Sequence, residues 1–139
     1  MELKVHTKKA ITSPQQIAEI FESIQNAQDE IDRTKEKCWT VGLNTRNFIV
    51  YVELVSMGTL NASLVHPREV FRFAIMKGVV SGIILVHNHP SGDLNPSDDD
   101  LALTKRLYEA GKILGIDLHD HIIIAEGSGY TSLKVNGVI

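Results

Sequence analysis

His87 and His89 are separated by one residue, and Asp100 follows on the next predicted element. Imidazole nitrogens and a carboxylate oxygen make up the ligand set of catalytic zinc sites, which use three protein atoms and keep a fourth position for water. The histidines close an apolar run, Val79-Val80-Ser81-Gly82-Ile83-Ile84-Leu85-Val86, that is rich in β-branched residues and too short for a globular helix. That run predicts a buried strand, central and parallel. Side chains two apart in a strand point the same way, so His87 and His89 project together from its end. Pro90, Gly92 and Pro96 turn the chain, and Asn95-Pro96 predicts an N-cap followed by proline at the first helical position. Ser97 and Asp100, three apart on the first turn of that helix, share a face. The same residues have an ordinary alternative. Ser97-x-x-Asp100 also reads as a capping box, and Asp98, Asp99 and Asp100 complement a helix dipole.

The complete pattern, His-x-His-Pro-x6-Ser-x2-Asp directly after an apolar strand, resembles the JAMM (JAB1/MPN+) metallopeptidase motif. The stretch His87-Asn88-His89-Pro90-Ser91-Gly92-Asp93 with Pro96-Ser97 more closely resembles its RadC-type branch, and the likeness runs from about Glu36 to Ile124. The resemblance implies a JAB/MPN fold related to cytidine-deaminase-like sheets, with one zinc ion per chain on His87, His89 and Asp100. Zinc lowers the pKa of bound water from about 16 toward 7, and a carboxylate must then carry the proton to the leaving group. The family places that glutamate just before the first strand of a hairpin, where Glu36 stands. Glu53, inside a strand, reads instead as an outward, solvated carboxylate. Ser97 is implied as the hydrogen-bond donor to an oxyanion.

Four further residues are candidates for orienting a ligand or touching substrate: Arg68, Asn88, Asp120 and His121. Asp120-His121 resembles a pair that the RadC branch carries here, within a second His-x-His (His119-Asp120-His121). It would either orient a zinc ligand or form a satisfied, partly buried pair. His66-Pro67-Arg68 also matches the branch as a helix start, with Arg68 placed to meet a substrate carboxylate. Asn88 stands where peptidases of the wider superfamily usually have Ser or Thr, which leaves the ligands intact but points away from ubiquitin-type isopeptidase substrates. Cys38 reads as a buried thiol. Asp93, Asp98 and Asp99 read as solvated or dipole-compensating.

The remaining elements must position this cluster. At 139 residues, the chain predicts one domain with a core over about 36–135 and a helix over about 14–26. Ser13-Pro14-Gln15-Gln16 starts that helix, and Ile17, Ile20, Phe21 and Ile24 form its stripe. Residues 1–12 are an edge strand or a loose end; His6 and Gln25–Lys35 read as solvated surface. Strands over Glu36–Leu43 and Phe48–Val55 form a hairpin, and Ser56–Asn61 is an irregular connection. A helix from Pro67 to Gly78 turns Val70, Phe71, Ala74 and Ile75 inward, making Phe48–Val86 a strand-helix-strand unit with parallel pairing. Leu101, Leu107, Ala110 and Leu114 mark a long helix, followed by a strand over His121–Ala125 and a short one over Tyr130–Val135. The order predicts an α/β fold, a mixed β-sheet flanked by helices.

Composition narrows the function. Hydrophobic residues make up 43% and charged residues 22%, ordinary for a globular chain, and the formal net charge is −3. The single cysteine excludes an internal disulfide and a cysteine zinc cluster. No stretch reaches membrane-spanning length and the N-terminus lacks a signal-peptide core, so a cytoplasmic location is expected. The leading expectation is a zinc-dependent peptidase or isopeptidase acting on a peptide or protein, with the hairpin offering an edge for an extended substrate. A DNA-repair or recombination protein, nuclease or accessory, is the alternative. It needs a basic, salt-sensitive face that the net charge does not advertise, and the residues before Glu36 show no helix-hairpin-helix region like that of longer RadC-type chains. A metal-bound scaffold without turnover is the third reading.

Overall fold

The computed structural model describes residues 1–5, 9–58 and 65–139. His6 and part of the connection after Ser56 lie outside the described residues. The elements in order are β1 (Glu2–Leu3), α1 (Pro14–Asn26), α2 (Glu30–Arg33), β2 (Lys37–Leu43), β3 (Ile49–Met57), α3 (Pro67–Val70), α4 (Arg72–Lys77), β4 (Gly82–Asn88), α5 (Asp98–Leu114), β5 (Asp117–Ala125) and β6 (Gly129–Ser132). Among the described residues they build one six-stranded sheet in the order β1-β3-β2-β4-β5-β6. Only β4 and β5 pair in parallel; the other pairings are antiparallel. This is the mixed, helix-flanked α/β sheet that the sequence predicts.

Strand periodicity divides the core in two. Cys38, Ile83 and Leu85 face a layer with Val70, Ala74, Leu103 and Leu107 from α3, α4 and α5 and with Phe71 between α3 and α4. Trp39, Val41, Ile84 and Val86 face Ile17 and Phe21 of α1. The start of α1 follows the sequence closely: Gln16 Oε1 accepts from the Ser13 N–H at 3.0 Å, and Ile17 and Phe21 are fully buried. Residues 25–35 are all exposed or partly exposed, as expected of a surface segment, and include the short α2, which Asp29 caps.

Five expectations are corrected. β3 and β4 run in the same direction but do not pair, because β2 lies between them, antiparallel to both. The hairpin edge is partly taken as well, since β1 pairs with β3 at Val52 and Glu53. The helix after Pro67 breaks into α3 and α4 at Phe71, and Ile75 is 56% exposed, one position round the helix from buried Ala74. The buried stripe of α5 is Asp100, Leu103, Thr104, Leu107 and Gly111, while Leu114 is exposed. A stripe read from apolar residues alone misses the polar and glycine positions on it. Finally, Glu53 is 1% exposed and bonds Arg72 at 3.2 Å, so its strand position hides the carboxylate instead of solvating it.

Candidate metal centre

The strand β4 and the helix α5 meet at the end of the sheet where the His-x-His lies. His87 is buried, its ring centroid 4.7 Å from that of partly buried His89. The turn after Pro90 delivers α5 so that its N-cap is Ser97, two residues later than the Asn95-Pro96 signal suggests. Ser97 Oγ accepts from the Asp100 N–H at 3.0 Å, and the Ser97 N–H bonds Asp100 Oδ2 at 2.8 Å. The capping box therefore exists, and it aims the Asp100 carboxylate at the histidines. The two readings of Ser97-x-x-Asp100 describe one structure.

Nδ1 of His87 lies 3.2 Å from Asp100 Oδ1, and Nε2 of His89 lies 3.0 Å from Asp100 Oδ2. The three residues offer ligand atoms all within 4.8 Å of one another, a group that could hold a metal ion. His89 Nδ1 sits 2.6 Å from the carbonyl of Asp93, which can only accept, so Nδ1 carries the hydrogen. In the neutral ring the Nε2 lone pair then faces a carboxylate. Neither His87 nitrogen nor Asp100 Oδ1 has a hydrogen-bond partner among the described residues, although all are buried. The His89 Nε2 lone pair facing Asp100 Oδ2 is unfavourable unless a cation stands between them. A proton or a metal ion satisfies that requirement, and two imidazoles with a carboxylate suit zinc. Burial opposes ionisation of Asp100, but neighbouring His87 and the Ser97 N–H hold its carboxyl well below the usual carboxylate range.

The surroundings assign the other candidates. Cys38 pairs with His87 across β2 and β4; burial, then the Asp100 charge, pushes its thiol up to about 12. Thr104 donates to the Asp100 carbonyl at 2.7 Å and so accepts from Nδ1–H of His121 at 2.6 Å. His121 is buried behind the centre, and burial lowers its pKa to about 3, with His87 adding to the effect. Asp120 points to the other side of the sheet. Its carboxylate accepts from the His121 N–H, the Ser132 hydroxyl and the Lys134 N–H at 2.8, 2.6 and 3.0 Å. Asp120 is thus a buried pin between β5 and β6, apart from the three-residue group. Arg68 is exposed on α3.

Glu36 stands immediately before β2. Extending the Cys38–His87 register by two residues sets it across from His89, on the same face of the sheet as Cys38. Asn88 is 3% exposed and faces the opposite layer. A cleft of about 670 Å³ opens on that side, lined by Asn88, His89 and Pro90, by Glu19 and Glu22 of α1, and by Arg33 of α2. Two contributors escape a sequence reading. Asp93 acts through its backbone carbonyl, which carries no sequence signal. Thr104 lies one turn beyond Asp100 on the buried stripe, and that spacing is its only signal.

The chain belongs to the RadC-like JAB domain family, whose profile matches residues 11–138. It is 48% identical over 132 residues to a UPF0758 protein of Methanosarcina mazei, covering 95% of this chain and 55% of that one. A UPF0758 protein of Clostridium acetobutylicum is 48% identical over 130 residues, 93% of this chain and 53% of the relative. One of Desulforamulus reducens is 53% identical over 112 residues, 81% and 48% of the two chains. The chain spans about half the length of these relatives, and their shared name states no activity. No helix among the described residues is long and apolar enough to cross a membrane.

Proposed function

We propose that this domain is a zinc-dependent hydrolase of amide bonds, a peptidase or isopeptidase acting on a polypeptide. The observation that carries the reading is the convergence of His87, His89 and Asp100, whose ligand atoms all lie within 4.8 Å of one another, with both His87 nitrogens and Asp100 Oδ1 buried and without a hydrogen-bond partner among the described residues. These three would hold the ion, which when bound supplies a water of lowered pKa and a Lewis acid for the carbonyl. Glu36, opposite His89, would take the proton from the attacking water and return it to the leaving nitrogen. Ser97 is exposed and uses its oxygen lone pair for the Asp100 N–H, so its own hydrogen is free to meet developing charge on the carbonyl oxygen. The cleft on the Asn88 side reaches the three-residue group only at His89, where it would give a polypeptide room at the edge of the site.

Metal analysis of the purified, tag-free protein tests the reading. Near-stoichiometric zinc that His89→Ala and Asp100→Asn both abolish is the expected result. Zinc-free protein under zinc-replete conditions, or metal indifferent to both substitutions, overturns it.

A further inference from the structure

We infer that Asn88 is a positioning residue for Glu36, clamping the backbone on both sides of it from across the sheet. This inference rests on the hydrolase reading above.

The Asn88 amide spans Glu36. Its Oδ1 accepts from the Lys37 N–H at 2.6 Å, and its Nδ2 donates to the Lys35 carbonyl at 2.9 Å. Regular pairing between β2 and β4 ends at Cys38–His87, so the side chain continues the ladder where the backbones no longer reach. An amide suits the task because one planar head carries a donor and an acceptor. A serine or threonine hydroxyl is shorter and carries a single hydrogen. The polar head of Asn88 is buried with both kinds of hydrogen bond made, which is what keeps such a group from being costly.

The clamp has support on both sides. The Glu36 carbonyl accepts from the Gly58 N–H at 2.8 Å, which anchors the residue to the end of β3. Lys37 turns inward and donates from Nζ to Gln28 Oε1 at 2.7 Å and to the Asp32 carbonyl. The backbone from 35 to 37 is thus tied at three points, two of them by Asn88. Because side chains alternate along β4, His87 and His89 serve one face while Asn88 works from the other. Three consecutive residues thereby set both the ligand positions and the height of the carboxylate above them. A shift of about 1 Å in such a group is enough to cost catalysis heavily.

The test uses cobalt(II) in the full chain as a spectroscopic stand-in for zinc, with the visible absorption followed against pH. A nearby carboxylate disfavours a second negative charge, so Glu36→Gln should move the midpoint of the spectral transition down by about one pH unit. Asn88→Ala and Asn88→Ser should move it the same way with one cobalt still bound, and adding either to Glu36→Gln should give no further shift. Amide exchange at Lys37 should accelerate at least tenfold in both Asn88 variants. A wild-type midpoint in folded Asn88→Ser, while Glu36→Gln is shifted, overturns the clamp but leaves the hydrolase reading standing. An unshifted Glu36→Gln overturns the assignment of Glu36, and the role of Asn88 with it.

Discussion

Nε2 of His89 stands 3.0 Å from Oδ2 of Asp100, although the Asp93 carbonyl takes the one hydrogen that a neutral His89 carries. The fold therefore brings acceptors together and leaves a cation to complete them. If that cation is a metal ion, as proposed, the arrangement couples stability to metal, because an ion that binds only the folded chain stabilises it by mass action.

With zinc at a hundredfold excess over its dissociation constant, unfolding should become harder by about 2.7 kcal/mol. Asp100→Asn should abolish that dependence, since it removes the charge and turns one ligand oxygen into an amide nitrogen. Thermal melts with and without zinc check this. A zinc-dependent shift that survives Asp100→Asn would place the bound ion elsewhere.

Much of this centre was legible because its signals are local. Strand periodicity brings His87 and His89 together, and the helix start brings Ser97 to Asp100. What remained hidden depends on partners distant in sequence or on broken periodicity. Asn88 meets Lys35 and Lys37 across more than fifty residues, and nothing in either segment announces the other. A register shift between Ile83 and Ile84 lets Ile83 face Leu118 and Ile84 face Asp120, skipping His119. That bulge separates Asp120 from the side it would share by simple alternation and sends His121 under α5. The β3–β4 pairing failed for a topological reason. A hairpin partner inserted itself between two strands that are otherwise correctly oriented.

Asp120 is expected to matter for stability and not for metal. Replacing it with alanine strands two backbone N–H groups and a serine hydroxyl in a mostly buried setting, a loss of about 2–4 kcal/mol. Urea unfolding should show this loss while the zinc content of the folded fraction stays at the wild-type level. Lost zinc with unchanged unfolding would instead tie Asp120 to the centre.

Cys38 should be chemically silent in the folded protein. It is 1% exposed, and a thiol pushed up to about 12 offers almost no thiolate near neutrality. Labelling with a disulfide reagent at pH 8 should follow the rate of unfolding and be independent of reagent concentration at high excess. Fast stoichiometric labelling would mean that the interface of β2, β4 and α5 opens readily.

Tyr51 should set an alkaline limit to stability. Its ring lies over Gly42, where an added Cβ would come within 2.0 Å of ring carbon, and it is 2% exposed. Burial, with Glu53 adding to it against the influence of Thr40, raises the phenol from 10.0 to about 12. The unfolded chain releases this proton near pH 10 while the folded chain keeps it, so the unfolded state binds fewer protons between those values. Stability is therefore fully present below pH 10 and falls as pH rises toward 12, with a limiting slope of about 1.4 kcal/mol per pH unit for this group. Tyr51→Phe keeps the ring and removes the proton. Denaturant unfolding across this range should show a shallower alkaline decline in Tyr51→Phe than in the wild type, with Cys38 and other groups responsible for what remains. Superimposable profiles would mean that the phenol reaches solvent before the fold is lost.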